Sequence, residues 1–121
     1  MQICRIWHIL LEVSDKPLVL LHVDIKTPPL STEARLELGF LLRALQQGES
    51  LALPHSPPMP AIGPSCHELR VRDRDNTWRL VYRIDEDAIV VVDLFAKKSR
   101  TTPKPVIDRA TVRLAAYDKD A

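Results

Sequence analysis

Lys97, Lys98, Arg100 and Lys104 fall within eight residues of one another, with no acidic residue among them, directly after the apolar run Ala88 to Phe95. Cations concentrated in this way are suited to hold a phosphodiester. Arginine grips two phosphate oxygens at once through its planar fork, and lysine supplies a point charge or, with its pKa lowered by neighbouring cations, a proton carrier. Two upstream segments, Glu68 to Arg72 and Trp78 to Ile84, add Arg70, Arg72 and Arg79. Ordinary structure accounts for parts of this set. Arg70 and Arg72 fit a solvated strand face, and Arg79 fits a cross-hairpin pair with Glu68. The convergence of these arginines with the lysine-rich segment is what favours a site.

The elements that must position these groups are read from periodicity. Leu69 and Val71 alternate with Glu68, Arg70 and Arg72, and Trp78, Leu80, Tyr82 and Ile84 alternate with Arg79, Val81 and Arg83. This parity predicts two strands with one core face and one charged face, joined by a turn at Asp73 to Thr77. A second turn at Asp85 to Asp87 leads to a third strand, Ala88 to Phe95. It is apolar on both faces except at Asp93, so it is expected to be central and covered on both sides. Trp78, Tyr82 and Phe95 read as core, and His67 as a satisfied, partly buried imidazole. Cys66 and His67 cannot form a nucleophilic pair, because adjacent strand residues point to opposite faces.

Upstream, Ile3 to Val13 and Pro17 to Ile25 read as two apolar strands joined as a hairpin, the second the more buried, with a helix as the alternative. Thr27-Pro28-Pro29 stops the second. Ser31 is expected to cap a helix beginning at Thr32, with Glu33 in its first turn and Ala34, Leu38, Leu41, Leu42 and Leu45 on its apolar stripe, ended by Gly48. Gly39 inside it suggests close approach to another element. Five prolines between Pro54 and Pro64 exclude a helix interior or a central strand there. That segment reads as a stiff surface connection, with a proline-rich ligand for an SH3-like module the less favoured reading. After Pro103 a second helix is expected, carrying Val106, Ile107, Ala110, Leu114 and Tyr117 inward and Asp108, Arg109 and Arg113 toward water. The fold class is therefore α+β: a small mixed sheet, mostly an antiparallel meander, packed with a long N-terminal helix and a C-terminal helix. At 121 residues and 45% hydrophobic content it is expected to be one domain, 1–121.

Seventeen basic against sixteen acidic side chains leave a formal charge of +1. Nucleic-acid binding cannot be argued from bulk charge and must rest on where the charges lie. Cys4 and Cys66 are distant, and Arg5, His8, Glu12 and Asp15 interrupt the apolar N-terminus. A signal peptide, a membrane span and a disulfide framework are not expected, which favours a cytoplasmic setting. No zinc-ligand spacing and no glycine-rich phosphate loop is present in the sequence, so neither a metal nor a cofactor is expected.

The ordered set Glu68-Leu69-Arg70, Trp78-Arg79-Leu80-Val81-Tyr82 and Phe95-Ala96-Lys97-Lys98 with Thr101-Thr102-Pro103-Lys104 resembles the phage-derived Gp49-like, HigB-type branch of the RelE/ParE toxin superfamily. The resemblance spans about Leu18 to Tyr117. It implies a RelE-like fold and a ribosome-dependent endoribonuclease of a type II toxin-antitoxin system, acting on mRNA and silenced by a helix-turn-helix, HigA-like antitoxin. Metal-independent RNA cleavage needs a proton taken from a 2′-hydroxyl, charge stabilised on a phosphorane, and a proton returned to the leaving oxygen. On this resemblance Arg70 meets the transition-state charge and Lys97 or Lys98 carries the proton, while Arg72, Arg79, Arg100 and Lys104 hold RNA. The chain departs from RelE enzymes in having Thr101, Thr102 and Lys104 where a tyrosine stands, and it lacks the histidine and aspartate of some HigB enzymes. The second reading is a non-catalytic protein of the same fold, either a ParE-like gyrase inhibitor or a phage-derived interaction protein.

Overall fold

The computed structural model describes residues 15–49, 51, 56–74, 76–97 and 101–120. The elements run β1 (Leu18–Leu20), α1 (Thr32–Gln46), β2 (Cys66–Arg72), β3 (Thr77–Ile84), β4 (Ile89–Lys97) and α2 (Lys104–Asp120). The four strands form one mixed sheet in the order β1-β4-β3-β2. β2, β3 and β4 make the expected antiparallel meander, and β1 joins β4 in parallel. This gives the α+β class read from the sequence, with β4 central as its two-sided apolar pattern required. The expected strand at Ile3 to Val13 lies outside the described residues, and with it the hairpin. The apolar run from Pro17 is a strand only over Leu18–Leu20, an edge rather than a buried centre, and His22 with φ 57° turns the chain out of the ladder.

α1 forms where its signals place it. The Ser31 hydroxyl accepts a hydrogen bond from Ala34 N at 3.0 Å, and Gly48 at φ 90° follows its end. Ala34, Leu38, Leu42 and Leu45 are buried against Leu69, Val71, Leu80, Tyr82, Ile89 and Val91, which makes one core. Gly39 approaches nothing: a Cβ there would meet open space, so its presence does not reflect tight packing.

The opposite face of the sheet corrects the expectation of a charged, solvated surface. Val81, Val90 and Val92 form a second core with Val106, Ala110 and Leu114 of α2, so both faces are covered. Carboxylates fasten this layer from both sides, Asp118 of α2 to Arg83 of β3 and Asp93 of β4 to two arginines of α2. Asp93 on β4 accepts from Arg109 Nε at 3.0 Å and pairs with Arg113 at 3.5 Å, while Arg113 also donates to the Val92 carbonyl at 2.8 Å. The arginines assigned to water are thus bound to the sheet.

The proline-rich segment is likewise more than a surface connection. Glu68 N donates to Pro57 O at 2.9 Å and Met59 N donates to Cys66 O at 2.8 Å, so the segment lines the outer edge of β2. Proline has no N–H to offer a further strand, and a segment so placed protects an edge that would otherwise pair with another chain. The buried Ser56 hydroxyl meets the Tyr82 hydroxyl, and His67 stacks on the Tyr82 ring with centroids 5.5 Å apart. Burial raises the Tyr82 pKa above the ordinary phenol value.

Asp73 in the β2–β3 turn ties the two halves of the first core together. It accepts from Ser31 N at 3.0 Å, Arg74 N at 2.8 Å and Trp78 Nε1 at 2.9 Å, and these bonds, led by that from Ser31, hold its carboxyl well below the usual range. A folded-state pKa below the unfolded value adds stability that is present above about pH 4 and is lost as pH falls through the folded pKa. Asp73→Asn should therefore lower the melting temperature at pH 7, and the gap from wild type should narrow only below about pH 4. A gap that stays constant down to pH 2 in thermal melts would remove the carboxylate from this role. Leu80, fully buried in the first core, should cost roughly 2 to 5 kcal/mol on replacement by Ala, as read from chemical denaturation.

Candidate functional site

The β2–β3 register sets Arg70 directly opposite Arg79, two cations on neighbouring strands. Like charges so placed repel, and the arrangement needs an anion between them. Glu68, two residues before Arg70 and on the same face, supplies it. Its Oε1 accepts from Arg70 Nε and from Arg79 NH1, each at 2.9 Å. The Glu68 side chain is 0% exposed and that of Arg79 8%, whereas that of Arg70 is 38% exposed. Glu68 thus joins two guanidinium groups, and of these Arg70 is the one that reaches solvent.

Glu68 has a third partner. Thr102 donates from Oγ1 to Oε2 at 3.0 Å and lies 4.0 Å from Met59 Sδ. The chain downstream of β4 therefore returns to the same buried carboxylate before Pro103 and α2. Both carboxylate oxygens are used, as burial of such a group requires.

The other residues singled out by sequence are placed unequally. Arg72 is exposed at the end of β2, opposite Thr77. Lys97 is the last residue of β4, also paired with Thr77. Lys98 and Arg100 lie outside the described residues. Lys104 opens α2 and pairs with Asp108 at 3.0 Å in a solvent-exposed i,i+4 contact. Arg79 is held by Glu68, as the ordinary reading of that residue allowed. Arg70 is the basic side chain that joins the buried cluster to solvent: its Nε is committed to Glu68, and its NH1 and NH2 have no hydrogen-bond partner among the described residues.

Other charged groups are occupied elsewhere. Arg83 binds Asp85 and Asp118, which raises its pKa, while Arg83 in turn lowers that of Asp118. Cys66 is buried in the second core, and burial pushes its thiol pKa up, so it is a poor nucleophile. His67 lies on the other face against Tyr82, which separates the two as strand alternation required.

Sequence reasoning undervalued Glu68 and Thr102. Both stood in the motifs that carry the resemblance, but neither was given a role in the site: Glu68 was a possible partner of Arg79, and Thr102 an occupant of a position where related enzymes carry tyrosine. The usable signal was the Glu-x-Arg spacing, which sets an acid and a base on one strand face, combined with an arginine opposite across a short turn.

Two helices and a four-stranded mixed sheet give a small α+β domain whose element order is consistent with a RelE-like fold. The chain belongs to the phage derived protein Gp49-like (DUF891) family, whose model matches residues 28–115. This is a toxin-like family of the RelE/HigB type, and an antitoxin partner in general is what such a family implies. No curated protein and no solved structure matches the chain. Among the described residues no helix is long and apolar enough to cross a membrane.

The cluster predicts opposite behaviour for its two arginines. Arg79→Ala leaves the buried Glu68 short of its most enclosed partner and should destabilise by about 3 to 5 kcal/mol. Arg70→Ala removes a partly exposed group and should cost no more than about 1 kcal/mol. Equal losses in urea denaturation would contradict this ranking.

Proposed function

We propose that the protein is the toxin of a type II toxin-antitoxin pair and cuts mRNA on translating ribosomes, in the cytoplasm, by attack of a 2′-hydroxyl on the adjacent phosphodiester. The observation that carries this reading is Arg70: a guanidinium fixed at Nε by a buried carboxylate, with its NH1 and NH2 available to two phosphate oxygens. Family membership supports a toxin.

In the proposed reaction the 2′-hydroxyl loses its proton, the O2′–P bond forms and the P–O5′ bond breaks. The leaving oxygen takes up a proton, which leaves a 2′,3′-cyclic phosphate and a 5′-hydroxyl. Arg70 stabilises the charge gathered on the phosphorane, a contribution of about 3 to 4 kcal/mol for a well-placed donor. Lys97 or Lys98 transfers the proton, and Arg72, Arg100 and Lys104 bind flanking RNA; Lys97, Lys98 and Arg100 enter on sequence position alone. Arg79 contributes by holding Glu68. The protein's own cations are few, so the ribosome is assigned the task of orienting the RNA. A helix-turn-helix antitoxin, HigA-like, completes the pair.

Induced expression without an antitoxin should arrest growth, with loss of translation preceding any DNA damage response. Arg70→Ala and Lys98→Ala should each abolish the arrest while the protein stays folded. Cleavage should be strong in a translating extract and weak on naked RNA. DNA damage signalling ahead of mRNA loss would instead indicate a gyrase inhibitor, and equal cutting of naked RNA would remove the ribosome from the scheme.

A further inference from the structure

We infer that Glu68 is a positioning residue for the phosphate-holding arginine, and that Thr102 is the group that fixes Glu68 in the orientation required; this rests on the phosphodiester reading of Arg70. An arginine can meet an anion through the edge formed by Nε and one terminal nitrogen, or through its NH1 and NH2 fork. Glu68 removes the first choice, because its Oε1 already holds Arg70 Nε at 2.9 Å. The fork is left as the face presented outward, and a phosphodiester with two non-bridging oxygens is the ligand class that matches it.

Rotation of the carboxylate would carry Arg70 with it, and two side-chain bonds oppose that rotation. Arg79 NH1 holds Oε1 at 2.9 Å and is itself almost wholly buried, and Thr102 Oγ1 holds Oε2 at 3.0 Å. Backbone support comes from the edge, where Glu68 N donates to Pro57 O at 2.9 Å. Thr102 is the one partner contributed from beyond β4, so the aim of the arginine depends on where the chain runs after that strand. A buried carboxylate meant only to neutralise Arg79 has no need of the hydroxyl or of the second, half-exposed guanidinium.

The test compares wild type with Glu68→Gln, Thr102→Val and Thr102→Ser. It measures kcat and KM for mRNA cleavage in a translating extract and the hydrogen exchange of the Arg70 Nε–H by NMR, with the signal assigned through its loss in Arg70→Lys. In wild type the Arg70 Nε–H should exchange far more slowly than that of the exposed Arg72. Thr102→Val, which leaves both ion pairs in place, should lower kcat about tenfold to a hundredfold with little change in KM, and Thr102→Ser should restore it. Glu68→Gln, where it folds, should lower kcat at least as much. Unchanged kcat in folded Thr102→Val, or an Arg70 Nε–H that exchanges as fast as that of Arg72, would overturn the inference. Should wild type leave RNA intact, the nuclease reading fails, and the exchange rate of the Arg70 signal alone decides the placement.

Discussion

A carboxylate that is fully buried between two arginines and a threonine is the interaction on which the candidate site depends. Glu68 costs the fold several kcal/mol of desolvation, which only well-placed partners offset. Arg79 supplies a buried partner, Thr102 a hydroxyl from the far side of β4, and Arg70 a guanidinium that reaches solvent. Without the carboxylate, the like charges of Arg70 and Arg79 would stand opposite each other across the β2–β3 pair. With it, they are joined in one cluster that reaches solvent at Arg70.

The rest of the molecule serves this arrangement by covering it. α1 and the first core hold one face of the meander, and Asp73 fastens the beginning of α1 to the turn between β2 and β3. α2 covers the other face, drawn in by Val106, Ala110 and Leu114 and anchored through Arg109 and Arg113 to Asp93. The proline-rich segment occupies the free edge of β2 beside Glu68. The proline-rich segment and the chain that leads from β4 into α2 thus meet at a carboxylate that strand alternation alone would have placed in water.

That contrast marks how much was legible in the sequence. α1 was readable from Ser31, Glu33 and the spaced leucines, because a cap and a helical stripe are local signals. The meander followed from the parity of Leu69, Val71, Trp78, Leu80 and Tyr82, and the central place of β4 from its two apolar faces. Burial of Glu68 and Arg79 was not readable, since charged residues at alternate positions look the same whether water or a helix lies above them. The covering layer was legible in the second apolar face of β4 and the apolar stripe of α2, but the anchoring of Arg109 and Arg113 to Asp93 was not, because that match is between elements. The run from Leu21 to Ile25 misled in the other direction. Its composition suits a strand, but the positive φ at His22 turns it away from the ladder. Gly39 shows that a glycine within a helix need not mark a close approach.

Arg70 and the neighbouring cations are proposed to promote attack by a 2′-hydroxyl on the adjacent phosphodiester. The most direct test of this proposal is the end chemistry of mRNA cut by the purified protein in a translating extract. The expected products carry a 2′,3′-cyclic phosphate on one fragment and a 5′-hydroxyl on the other, and a 2′-deoxy substitution at the cut site should abolish cleavage there. Fragments that end in 3′-hydroxyl and 5′-phosphate groups, or cleavage that survives the 2′-deoxy substitution, would contradict it.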